Sequence, residues 1–95
     1  MKLTNEAKAA IVVMVYEWKD DRRHLMDATD DFTKEMWGRE IFADWRALRV
    51  MCELFGIDAG LVSLAVDDTY EDHFCVYELE AMSAKEFAQR FMAKK

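Results

Sequence analysis

The chain has 95 residues, of which 53% are hydrophobic and 13% aromatic, and it has no proline. So much apolar material excludes an intrinsically disordered chain, which stays unfolded because it cannot bury enough surface to offset ordering entropy, and the length suits one domain spanning residues 1–95. The formal net charge of −6, from 13 basic and 19 acidic residues, argues against direct nucleic-acid binding, where affinity comes mainly from lysine and arginine set against phosphates.

The first helix is expected to start at Thr4 or Asn5, both good caps, with Glu6 in the first turn. Leu3, Ala7, Ile11, Met14, Trp18 and Leu25 recur at helical spacing, and Val15 and Met26 widen the stripe. A break at 28–31 follows, where Thr29, Asp30 or Asp31 can cap a second helix. That helix runs to about Phe55, because Gly56 followed by apolar Ile57 is a Schellman-type ending.

On a wheel of 100° per residue the second helix has two apolar lobes. Trp37, Ile41, Trp45, Leu48, Cys52 and Phe55 form one; Phe32, Met36, Ala43, Ala47, Val50 and Leu54 form the other. One lobe packs on the first helix as an antiparallel hairpin. The second asks for another covering, from the C-terminal part or from a second subunit. Val12, Val13 and Tyr16 add to the apolar surface of the first helix, and a homodimer is the simplest way to cover the excess.

Segments 61–66 and 73–79 are short and rich in β-branched and aromatic residues, which predicts a two-stranded hairpin. A helical stripe of Tyr70, Phe74, Tyr77 and Ala81 competes with it. Glu78 and Glu80 would sit badly at a helix C-terminus, which favours strands. Ser83 and Glu86 form a capping box for a last helix, with Phe87, Phe91 and Met92 inward. The expected class is therefore α+β: a long antiparallel helical hairpin, a short β-hairpin and a C-terminal helix. The alternative is an all-α bundle of four or five helices.

The charge is uneven. Residues 50–84 contain no lysine or arginine and hold Glu53, Asp58, Asp67, Asp68, Glu71, Asp72, Glu78 and Glu80. The first half is close to neutral, and the last eleven residues are net basic. Such a block suits docking on a basic protein surface by long-range attraction. Phe42, beside Arg46 and Arg49 on the charged face of the second helix, has the composition of a binding hot spot. The expected partner-binding residues are Asp67, Asp68, Tyr70, Glu71, Asp72, Glu78, Glu80 and Phe42.

Catalysis finds little support. His24 has Asp20, Asp21 and Asp27 on its helix face, but Arg22 and Arg23 would repel a cation there. Glu17 with Asp20 and Glu40 with Asp44 raise the option of magnesium held between two helices, as in all-helical nucleotide pyrophosphatases, but both pairs depart from the E-x-x-E and E-x-x-D pattern of those enzymes. No glycine-rich phosphate loop or nucleophile elbow is present. The sequence thus predicts no catalytic residue, metal or cofactor. It predicts a non-enzymatic regulator or inhibitor that occludes a basic surface of another protein. A nucleic-acid mimic of the phage anti-defence kind is the alternative, and a metal-dependent nucleotide hydrolase ranks below it. The longest apolar run, residues 9–16, is far short of the about 20 needed to span a bilayer. No leader pattern is seen, and Cys52 and Cys75 are too few for a disulfide framework. A cytoplasmic setting is expected.

Overall fold

The computed structural model describes residues 1–67 and 73–93. Among them are five helices: α1 (Asn5–Asp27), α2 (Asp31–Leu54), α3 (Ala59–Ala65), α4 (Val76–Ala81) and α5 (Ala84–Arg90). No helix is long and apolar enough to cross a membrane among the described residues.

The long helices begin and end where their caps dictate. Thr4 Oγ1 accepts the Ala7 amide at 3.0 Å, and an Asp30 carboxylate oxygen accepts the Thr33 amide at 2.9 Å. Each satisfies a donor that the first turn leaves open. At the end of α2, Gly56 takes φ +69°. Its amide donates to the Glu53 carbonyl at 3.3 Å and the Ile57 amide to the Cys52 carbonyl at 2.9 Å, the paired bonds of a Schellman ending.

Between α1 and α2 the chain turns back within residues 28–30, and the register is antiparallel. Trp18 meets Trp45 at 5.4 Å between ring centroids, and His24 stacks on Trp37 at 4.6 Å. Ile11, Val15, Leu48 and Cys52 are fully buried. The other expectations for α1 hold in part: Leu3 and Ala7 are buried, but Met26, expected in the stripe, is exposed.

The predicted β-hairpin is not formed, and the helical-bundle alternative describes the chain. Residues 61–66 lie in α3 and its C-cap, because Asp58 caps that helix by accepting the Leu61 amide at 3.2 Å. Val62 and Val66 are then fully buried. Burial overrides the β-preference of these branched residues, which is only a weak intrinsic bias. Residues 73–75 are irregular, joined to α3 by the Phe74 amide donating to the Ala65 carbonyl at 2.6 Å. The competing helical stripe also fails: Tyr77 and Ala81 of α4 are exposed, and Leu79 is the residue it buries.

A side chain from α1 explains why α4 tolerates acids near its C-terminus. Lys8 is only 6% exposed, and its Nζ donates to the carbonyls of Leu79, at 3.2 Å, and Glu80, at 2.7 Å. A cation placed on open carbonyls is favourable both as a hydrogen-bond donor and toward the helix dipole. Ser83 then accepts the Glu86 amide at 3.1 Å and starts α5 as its capping box predicts. Phe87 and Phe91 point inward, their rings tilted at 59° with centroids 4.7 Å apart, whereas Met92 is exposed. The chain beyond α5 returns to the end of α2, with the Asp58 amide on the Phe91 carbonyl and the Ala93 amide on the Gly56 carbonyl.

Lys8→Met keeps the apolar stem and deletes both charged donors. It should lower the unfolding free energy by about 2 kcal/mol without changing the urea m-value, read from equilibrium denaturation.

Candidate functional site

Of the expected partner-binding residues, Asp67, Glu78, Glu80 and Phe42 are among the described residues. Phe42, on α2, is 69% exposed and lies beside Arg46 and Val50. Glu78 and Glu80 are exposed on α4, which packs on α1. Asp67 is half-buried just after α3. Asp68, Tyr70, Glu71 and Asp72 lie outside the described residues. The Glu78 carboxylate accepts from the Cys75 thiol at 3.4 Å, and Asp58 is spent as the cap of α3.

Chemistry is concentrated instead in the α1–α2 seam. One carboxylate oxygen from each of Asp21, Glu40 and Asp44 lies within 4.8 Å of the others. The hairpin builds this cluster directly. Glu40 and Asp44 are one turn apart on α2, and the antiparallel register places Asp21 of α1 opposite them. Asp44 Oδ2 is buried and has no hydrogen-bond partner among the described residues. If every carboxylate is ionised, the group has acceptors only. Burial first, then Asp21 as hydrogen-bond and charge neighbour, and then Glu40 and Glu17, push the Asp44 carboxyl up to about 7. A proton on Asp44 turns its contact with Asp21 from a repulsion into a hydrogen bond. A hard divalent cation, which prefers carboxylate oxygens, is the other species that relieves the same repulsion.

This set differs from the Glu17, Asp20, Glu40 and Asp44 that the sequence suggested, and Glu17 enters only as a neighbouring charge. Asp21, not Asp20, joins Glu40 and Asp44, because one residue along a helix rotates the side chain by about 100°. The legible signal is the four-residue spacing of Glu17 to Asp21 and Glu40 to Asp44, which keeps each pair on one face. Asp20 instead sits 3.6 Å from His24 Nε2, and His24 stacks on Trp37. Arg22 lies over the Trp18 ring at 4.9 Å.

Neither thiol is set up as a nucleophile. Both cysteines are free, Cys52 buried and Cys75 exposed. Burial, followed by the charges of Asp58 and Glu53, pushes the Cys52 thiol up to about 12. The hydrogen bond to Glu78 raises that of Cys75. Thiolate reactivity requires the opposite shift.

Comparison with known proteins brings no relative to bear on this geometry: no family model, no curated protein and no solved structure matches the chain.

The Asp44 shift has a defined sign. Below the unfolded carboxyl's ordinary value of 3.8 both states are protonated and nothing is lost. As pH rises toward 7 the unfolded chain ionises first, so folding stability falls; above about 7 the loss levels off. Asp44→Asn keeps the shape and supplies a permanent donor to Asp21. Its stabilisation over the parent should grow from pH 4 to pH 7 and then plateau, at on the order of a few kcal/mol. Thermal melts across that range check it, and a constant offset between the two proteins contradicts it.

Proposed function

We propose that the chain is a small non-enzymatic interaction module of the cytoplasm, which regulates or inhibits another protein by covering a basic surface of it. One observation carries this reading. Among the described residues, the carboxylates of Asp58, Glu78 and Glu80 make no ion pair with a lysine or arginine, although they belong to a stretch of eight acids with no cation of its own. Lys8, which reaches α4, is committed to its backbone carbonyls. Arg90 of the basic tail lies over the Phe74 ring at 5.1 Å. The charge of Asp58, Glu78 and Glu80 is thus open to an external partner. Long-range attraction of this kind accelerates encounter more than it deepens affinity, and Phe42 offers an aromatic anchor outside the block.

A second reading is metal-dependent hydrolysis of a nucleotide, and the Asp21, Glu40 and Asp44 cluster is what favours it. Three carboxylates around one unpartnered oxygen suit magnesium or manganese, which bind phosphate oxygens through the remaining positions. It ranks second because the described residues add no basic group or phosphate-binding loop to the cluster.

The two readings separate experimentally. Reversing Asp67, Asp68, Glu71 and Asp72 to lysine, with Glu78→Lys and Glu80→Lys, should slow association with an affinity-captured basic partner by about tenfold or more at low salt, and flatten its salt dependence. An unchanged on-rate removes the first reading. Turnover of nucleoside triphosphates with manganese, lost in Asp44→Asn, establishes the second; no turnover and no metal-dependent rise in melting temperature removes it.

A further inference from the structure

The outer face of α2 is bare along its length. Phe32, Met36, Ala43, Ala47, Val50 and Leu54 are all exposed, with Phe32 at 78%, Val50 at 55% and Leu54 at 52%. They step by three, four or seven residues over 22 positions, so the stripe runs nearly straight for about 33 Å. With the aliphatic stems of its flanking arginines it offers roughly 500 Å² of apolar surface. That is at the upper end of what a monomer leaves exposed and somewhat below the about 800 Å² per partner of a standard interface.

The two flanks of the stripe carry opposite charge. On the wheel, Glu40 and Asp44 lie on one side, joined there by Asp21 of α1. Arg39, Arg46 and Arg49 lie on the other, with Glu35 and Glu53 among them. Arg39 is paired with Glu35 at 2.7 Å and Arg49 with Glu53 at 3.4 Å, both exposed and therefore weak. Arg46 makes no ion pair among the described residues. The face therefore carries the exposed Glu40 on one flank and Arg46, without an ion pair among the described residues, on the other, on opposite sides of one apolar stripe.

We infer that this face binds a second copy of the chain, with the two α2 helices parallel about a two-fold axis running along the stripe. Orientation follows from the flanks. In a parallel two-fold pair the left flank of one helix meets the right flank of the other, so Glu40 lies level with the partner copy's Arg39 and Arg46. In an antiparallel pair each flank meets its own copy, the Glu40 side against itself and the arginine-rich side against itself. The small Ala43 and Ala47 at mid-stripe let the helix backbones approach closely, with the bulkier residues closing the ends. The limited area makes this a reversible, micromolar association. The monomer's own core, built on Leu48 and Cys52 at the opposite side of α2, does not depend on it. Nor does it involve the acidic block of residues 58–80, so it stands or falls separately from the proposal that this block docks on a basic partner.

Sedimentation equilibrium of the full chain should show a monomer–dimer equilibrium in the micromolar range. Ala43→Arg should yield a folded monomer, with its helical circular dichroism intact. Arg39→Glu and Glu40→Arg should each weaken the dimer by about tenfold, and the double swap should restore it. In a Cys75→Ser background, Met36→Cys and Val50→Cys should each form a disulfide-linked homodimer on mild oxidation. A chain that stays monomeric at 100 µM overturns the inference. So does cross-linking only between Met36→Cys and Val50→Cys mixed together, which is the antiparallel signature.

Discussion

The apolar seam between α1 and α2 is the constraint on which the remainder of the molecule is laid. Ile11, Val15, Leu48 and Cys52 leave it no solvent, and each long helix enters the seam from a defined cap. Once the two helices are locked antiparallel, the rest has few choices. The Schellman turn at Gly56 throws the chain back over the hairpin. Asp58 starts α3 at once, and the segment after α5 is tied to that same turn through Phe91 and Ala93. α4, a helix of six residues, is too short to be stable by itself. It exists because Leu79 is buried and because Lys8 of α1 holds its terminal carbonyls.

The same seam places like charges together, which no stability argument would choose. Asp21, Glu40 and Asp44 are brought within 4.8 Å by the register that pairs Trp18 with Trp45 and His24 with Trp37. The aromatic pairs on both sides fix the spacing, so the carboxylates cannot move apart without unpacking indoles. The repulsion is absorbed as a proton held by Asp44 up to about 7. Folding thus carries a local cost set by pH, located between the two aromatic pairs of the hairpin. A site of that kind is where a cation, whether a metal ion or a side chain from another molecule, gains most on arrival.

Reading the sequence succeeded where one residue type forces one geometry. A hydroxyl or carboxylate before an apolar period, as at Thr4, Asp30 and Ser83, has few other roles, and Gly56 before Ile57 marks a left-handed exit. The two lobes of α2 were legible for the same reason, since a period of 3.6 over 24 residues leaves no alternative. The segment from 57 to 82 was not. Runs of six or seven apolar residues fit either period, and what decided α3 and α4 was tertiary: burial of Val62, Val66 and Leu79, and a lysine 71 residues away in sequence from the carbonyl it caps. Glu78 and Glu80 do disfavour a helix end by local electrostatics, but Lys8 supplies the missing positive charge from another element. The carboxylate cluster is half visible in the sequence: Glu40 and Asp44 stand out, whereas Asp21 rather than Asp20 joins them because it shares a helical face with Glu17.

The net charge of −6 describes no part of this surface well. Toward the C-terminal helices, Asp58, Glu78 and Glu80 make no ion pair with a lysine or arginine among the described residues. Along α2, Glu40 and Asp44 lie on one flank of the apolar stripe, and three arginines with Glu35 and Glu53 on the other. A uniformly acidic protein would repel its own copies at every approach. Here the one long apolar face lies where the repulsion is locally cancelled, and the side-to-side order of the charges discriminates between orientations that the apolar residues alone would accept equally. Apolar area sets how strongly such a face can associate; the flanks set how.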